Sequence, residues 1–202
     1  MLHQFVLCDL GGVVVEVESD RLVHQAAQLT GKTFEEVQKA VYQDDLLLPF
    51  ELGRIGPQEY YKRLQAALKL RWNYEQFTRA WTEIFRENTE TTAILQRLKK
   101  HHRMFALTNT NVLHLDYIKR NVPSLSSIFE GWIASCDVGL RKPDPEMYKH
   151  ALAHTGARSE QTIYIDDRPE MVEAGKGAGL IAIRFLNSRQ LEQDLQAVGL
   201  NL

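Results

Sequence analysis

The sequence predicts an α/β fold: an open parallel sheet with helices on both faces, and an all-helical segment inserted after the first strand. Three observations carry this. Short runs rich in Val, Ile, Phe and Tyr alternate with helical patterns through the C-terminal half. One further apolar run stands near the start of the chain. Between the two, from about Ser19 to about Asn88, helix follows helix with no convincing strand.

The elements follow in order. Phe5 to Leu10 is an apolar run closed by Gly11 and Gly12, a strand and its turn. In the insert, Thr33 and Glu36 have the spacing of a capping box, and Pro57 opens a helix over Glu59 to Leu68. Asn73 precedes an apolar face of Phe77, Trp81, Ile84 and Phe85. The core rhythm then begins. Helices are expected over Thr91 to Lys100, Val112 to Arg120, Pro145 to His154, Pro169 to Gly175 and Ser188 to Val198. Strands are expected at Met104 to Thr108, Trp132 to Ser135, Thr162 to Ile165 and Ile181 to Phe185. Asp144 caps the helix that Pro145 opens, and Ser188 caps a run with Leu191, Leu195 and Val198 on one face. The division is therefore residues 1–17 and 89–202 as the sheet core, with 18–88 as the helical insert.

Composition narrows the function classes. The 202 residues are 44% hydrophobic and 25% charged, ordinary for a globular protein. Lys plus Arg is 24 against 26 for Asp plus Glu, a net charge of -2. No global field therefore recruits nucleic acid or a membrane surface, and an anionic ligand needs a local site. Met1 to Gln4 show no basic leader, and no apolar run is long enough to span a bilayer, which predicts a soluble, cytoplasmic protein. Cys8 and Cys136 sit in or beside apolar segments, so they read as small buried hydrophobes and not as a disulfide or metal pair.

Ligands of open parallel sheets bind at the carboxyl ends of the strands, and four polar clusters fall there. Asp9-Leu10-Gly11-Gly12-Val13 ends the first strand with a carboxylate and a glycine turn that lets a ligand approach the backbone. Thr108-Asn109-Thr110-Asn111 offers hydroxyls and amides, although taken by itself a plain polar loop and N-cap is the more ordinary use of them. Arg141-Lys142-Pro143-Asp144-Pro145 puts a Lys beside a helix start. Asp166-Asp167-Arg168 places two carboxylates side by side, where they repel unless a cation such as Mg²⁺ lies between them.

The order of these clusters, Asp, hydroxyl loop, Lys and paired Asp, resembles the haloacid dehalogenase superfamily. The resemblance covers nearly the whole chain. It implies a Rossmann-like core with a small helical cap, the type found among sugar-phosphate phosphatases; Gly11 and the Thr-Asn-Thr-Asn stretch are most similar to alpha-D-glucose-1-phosphate phosphatases. It implies a Mg²⁺-dependent phosphatase of a small phosphorylated metabolite. Asp9 would attack phosphorus, Thr108 and Asn109 would hold the phosphoryl group with Gly11 and Gly12, and Lys142 would neutralise charge and orient Asp9. Mg²⁺ would take the Asp9 carboxylate, the Gly11 carbonyl and the Asp167 carboxylate, with Asp166 as a further ligand or as support behind them.

One departure matters. Most phosphatases of this superfamily carry a second Asp where Gly11 stands, to protonate the leaving oxygen, a function worth roughly 10² to 10⁴ in rate. Good leaving groups, a substitute acid from the cap, or a phospho-ligand binder of weak turnover would each be consistent with Gly11. Glu16, Glu18, Asp20 and Glu51 are the candidate substitutes, with solvated carboxylates the ordinary reading. A 2-haloacid dehalogenase is the other chemistry of the fold, against which the paired Asp argues. Arg54, in the Gly-bearing connection Phe50-Glu51-Leu52-Gly53-Arg54, is a candidate substrate contact. Gly175, Gly177 and Gly179 lie between helix and strand in the wrong order for a dinucleotide fingerprint.

Overall fold

The computed structural model describes residues 5–200; the reading of Met1 to Gln4 as free of a leader falls outside them. Strands β1 (Phe5–Cys8), β4 (Arg103–Thr108), β5 (Gly131–Ala134), β6 (Thr162–Asp166) and β7 (Ile181–Arg184) form one sheet in the order β5-β4-β1-β6-β7. Every pairing in it is parallel. Strands buried on both faces lose the polar alternation of a surface strand, which is why β1 reads as an unbroken apolar run.

The pleat sends alternate residues to two cores. Val6, Cys8, Met104, Ala106, Ile163 and Ile165 pack with helices α6 (Thr89–Leu98), α7 (Val112–Asn121), α8 (Pro123–Ile128) and α12 (Ser188–Ala197). Phe5, Leu7, Phe105, Leu107 and Tyr164 meet α10 (Pro145–Thr155) and α11 (Pro169–Gly177). The short α9 (Ser135–Val138) and a 3-10 turn at Ser159–Gln161 complete the connections. No helix of the described residues is long and apolar enough to cross a membrane.

Between β1 and α6 the chain forms α1 (Ser19–Thr30), α2 (Phe34–Val41), α3 (Asp44–Glu51), α4 (Pro57–Leu68) and α5 (Tyr74–Thr82). They share a third apolar cluster built on Val23, Val37, Phe50, Tyr60, Phe77 and Trp81, onto which Val112 and Leu113 of α7 also pack. The Thr33–Glu36 capping box is present, and Asn73 makes a second one with Gln76.

Two differences from the sequence reading have clear causes. Ile84 and Phe85 do not continue the apolar face of α5, which ends at Thr82. Ile84 lies in the turn that follows, and Phe85 opens a three-residue strand, β3 (Phe85–Glu87), antiparallel to β2 (Val15–Val17). Such a stem is too short to show a period, and its apolar residues are spaced as a helix would space them. The segment 18–88 is therefore helical except for this strand at its end. The cap of α12 is Asn187, whose side chain accepts from the Gln190 N–H, while the Ser188 hydroxyl turns inward to Thr91 at 2.9 Å.

Candidate active site

The four clusters converge, although the one holding Lys142 lies between α9 and α10 and not at the end of β5 as the sequence suggested. Asp9 prolongs β1, its N–H donating to the Ile165 carbonyl at 2.9 Å, so the strand ladder itself aims the carboxylate. The chain then turns sharply about the Leu10 carbonyl, which accepts from the N–H groups of Val13, Val14 and Val15. Gly12 makes that turn possible with φ +76°, and a Cβ there would overlap the Asp167 carboxylate. Gly11 has no such constraint; a Cβ would meet only Val17 Cγ2, at 3.4 Å.

Lys142 lies at the centre, 1% exposed. Its Nζ is 3.1 Å from Asp9 Oδ1 and 2.6 Å from Asp166 Oδ2. Burial alone would lower the pKa of this ammonium, but the charges of Asp9 and Asp166 outweigh it and hold Lys142 above its usual value. Burial pushes Asp9 up to about 6 against the opposing pull of Lys142. Asp9 Oδ1 also accepts from the Leu10 N–H at 2.7 Å, which leaves Oδ2 without a protein partner.

The paired Asp residues divide their work. Asp166 is wholly buried, with Oδ2 taking Lys142 and the Tyr164 hydroxyl and Oδ1 accepting from the Arg168 N–H at 3.0 Å. Asp167 is half-buried and forms no ion pair among the described residues; burial and the neighbouring Asp166 raise its pKa. Asp9, Asp166 and Asp167 each offer an oxygen within 4.8 Å of the others. Three carboxylates against one ammonium leave two negative charges, and a hard divalent cation cancels them.

Thr108 ends β4, buried, at the edge of the site. Asn109 has a further task that the sequence did not show: its side chain donates to the Lys142 carbonyl at 2.8 Å and accepts from the Lys142 N–H at 2.9 Å, so it clamps the lysine backbone while its second amide proton stays open. Sequence reasoning missed Tyr164 as a support of Asp166, because a Tyr within a strand reads as core.

The connection after α3 sits on the core, but not through Arg54. Arg54 is exposed and contributes nothing to the cavity wall. Gly53 presses on the Cys136 carbonyl so closely that a Cβ would overlap it, and Ser135 Oγ lies 2.7 Å from the Glu51 carbonyl. The residue this contact directs inward is Glu51. Burial raises its pKa, and Arg141 opposes that from 3.5 Å. Of the other candidate acids, Glu16, Glu18 and Asp20 are exposed.

A cavity of about 200 Å³ opens beside the site, between α1, α3, α5 and α7 and the strand ends. Leu10, Gly11, Thr108, Asn109 and Glu51 line its near end.

Known proteins similar to this chain are distant in sequence but extensive in coverage. A sesquiterpene phosphatase of Aspergillus oryzae is 29% identical over 141 residues, 69% of this chain and 71% of its own. A D-ribitol-5-phosphate phosphatase of Bacteroides thetaiotaomicron is 22% identical over 96% of this chain and 97% of its own. The crystal structure of a HAD family enzyme of the same bacterium, in complex with magnesium and inorganic phosphate, superposes with a TM-score of 0.80 at 22% identity. It covers 90% of this chain and 93% of that one. The family model described as haloacid dehalogenase-like hydrolase matches residues 4–179, the span that holds all four clusters, and the chain belongs to that family of hydrolases.

Proposed function

We propose that this hydrolase is a Mg²⁺-dependent phosphatase of a small phosphorylated metabolite, acting through an aspartyl-phosphate on Asp9, with residues 18–88 as its cap. The observation that carries this is the cluster of Asp9, Asp166 and Asp167 around one buried lysine. A dehalogenase attacking carbon has no use for that surplus of negative charge. Phosphoryl transfer does, because a cation both satisfies the carboxylates and accepts the phosphoryl oxygens. The names of the two relatives and the magnesium and phosphate of the related structure support the same reading.

The donor set fits magnesium: Asp9 and Asp167 offer carboxylate oxygens, to which the family resemblance adds the Gly11 carbonyl, and Asp166 is held behind them by Lys142, Tyr164 and Arg168. When bound, the ion supplies charge neutralisation to the phosphoryl group. The chain's own groups do the rest. Asp9 Oδ2 forms the bond to phosphorus as the bond to the leaving oxygen breaks, while Lys142 balances charge and holds Oδ1. Water then cleaves the acyl phosphate and regenerates the carboxylate. Glu51, the half-buried carboxylate on the cavity wall, protonates the leaving oxygen and later takes the proton of that water. Its contact with Arg141 is long, and Arg141 Nε has no hydrogen bond among the described residues, so Glu51 is not locked as a structural ion pair.

Phosphate release tests the reading. Turnover of acetyl phosphate requires Mg²⁺ and stops in a chelator; a chelator-resistant activity on 2-haloacids overturns it. Metal binding is also visible in stability. The folded state keeps the Asp9 proton up to pH about 6, whereas the unfolded chain releases it near 3.8, so the metal-free protein loses stability as pH rises across that window. Mg²⁺ competes for the same carboxylate, so its stabilising shift in Tm is larger at pH 8 than at pH 5.

The acid assignment predicts a dependence on the leaving group. Glu51→Gln slows hydrolysis of alkyl phosphates by roughly 10² and of an activated aryl phosphate far less, because only the former needs the proton. Gly11→Asp in that background recovers part of the alkyl rate, since the backbone at Gly11 accepts a side chain. Equal losses on both substrates refute the role of Glu51.

A further inference from the structure

The cavity beside the site is apolar along most of its wall, which Leu22, Leu47, Trp81, Ile84, Phe85 and Ile118 form. Of the polar side chains in its lining, Thr108 and Glu51 belong to the reacting end and Ser19 adds one hydroxyl, while Asn111, His114 and Tyr42 are already committed. Asn111 accepts from Trp81 Nε1 at 3.3 Å and from the His114 N–H at 3.1 Å, and its amide nitrogen meets His114 Nδ1 at 3.0 Å. His114 Nε2 lies 2.9 Å from the Trp81 carbonyl, and burial lowers the ring's pKa to about 4, so it is a neutral, fully bonded imidazole. Asn109 holds the Lys142 backbone through its oxygen and one amide proton, and the Tyr42 hydroxyl donates to the Ser19 carbonyl at 3.3 Å.

We infer that this cavity receives the leaving group and selects an apolar one: the phosphate monoester of an alcohol or phenol bearing a hydrocarbon body of aryl or short isoprenyl size. The inference rests on the phosphatase reading and goes beyond it, since it departs from the sugar phosphate that the sequence resemblance implies. A sugar or polyol brings several hydroxyls, and the apolar stretch of this wall offers them no partner; a buried hydroxyl without a partner loses its hydration uncompensated. An apolar body loses nothing on entering. The size follows from the volume: a dry apolar cavity of roughly 150 Å³ holds a benzene molecule, and this one is about 200 Å³.

Gly11 gains a reason in this light. It stands at the junction of the reacting centre and the cavity, and its open side faces Val17. An aspartate there would put a charge at the mouth of an apolar pocket. Glycine leaves the passage wide and uncharged, and the acid comes instead from Glu51 on the wall.

The test compares phosphate monoesters of primary alcohols, whose leaving groups are chemically alike, with Mg²⁺ present: benzyl phosphate and dimethylallyl phosphate against ribitol 5-phosphate and glucose 6-phosphate. Acetyl phosphate reports the chemistry alone. The apolar esters are expected to exceed the polyol esters in kcat/KM by about 10²-fold, through a lower KM, the scale on which an apolar pocket discriminates. Leu47→Asn, with its fold checked by circular dichroism and thermal melting, lowers the benzyl-to-ribitol ratio about tenfold. Acetyl phosphate turnover with equal or better use of the polyol esters overturns this inference and leaves the phosphatase intact; no turnover of any compound, acetyl phosphate included, overturns both. Should Leu47→Asn fail to fold, the wild-type ratios decide.

Discussion

Asp9→Asn abolishes turnover while leaving the protein folded. The loss expected is roughly 10⁵-fold in kcat, the scale seen when a covalent nucleophile is removed from an enzyme that acts through it. The fold survives because the substitution is isosteric. Asn keeps an oxygen for the Leu10 N–H, and the ladder bond from the Asp9 N–H to Ile165 is a backbone bond. Lys142 keeps Asp166 as its partner. Stability without metal should hold or rise, because the carboxylate removed is one whose pKa burial has pushed up to about 6, the mark of a charge the fold holds at a cost. The variant should also lose most of the Mg²⁺-dependent gain in Tm. A variant retaining more than a tenth of wild-type phosphate release would rule Asp9 out as nucleophile.

What could be read from the sequence follows a physical division. Asp9, Asp166 and Asp167 were legible because parallel strands make their own ends conspicuous: an apolar run halts at a charge, and the sheet brings such halts to one edge; Lys142, which lies beyond α9, was legible only from its place in the order of the four clusters. The roles that depend on a partner far away in sequence were not. Asn109 serves the backbone of Lys142, 33 residues on. Tyr164 serves Asp166 from inside a strand, where its hydroxyl leaves no periodic trace. Glu51 rather than Arg54 turns inward because Gly53 lies against Cys136, a contact between segments that nothing in either one announces. The β2–β3 stem fails for the same reason, being three residues long and stable only as a pair.

Lys142→Met gives the second large effect, and it separates stability from catalysis. The side chain is 2% exposed and bridges two buried carboxylates. Met fills a similar volume without the charge, so Asp9 and Asp166 face each other uncompensated. Breaking a buried ion pair from one side costs about 3–5 kcal/mol, a large share of the stability of a small protein. Tyr164 and the Arg168 N–H still hold Asp166, which limits the damage to that carboxylate, and Mg²⁺ should recover part of the loss through Asp9. Catalysis has no such recourse. The lysine supplies charge to the phosphoryl group and fixes Asp9 Oδ1, and removing one preorganised donor of that kind costs roughly 10³ in kcat. The double variant Lys142→Met, Asp166→Asn divides the two effects. Its melting temperature climbs back toward wild type because the unpaired buried charge is gone, whereas its kcat stays low because the phosphoryl group still lacks a cation from the protein. Recovery of both would mean that Lys142 is a structural counter-ion alone, and recovery of neither would mean that Asp166 carries a role of its own beyond holding the lysine.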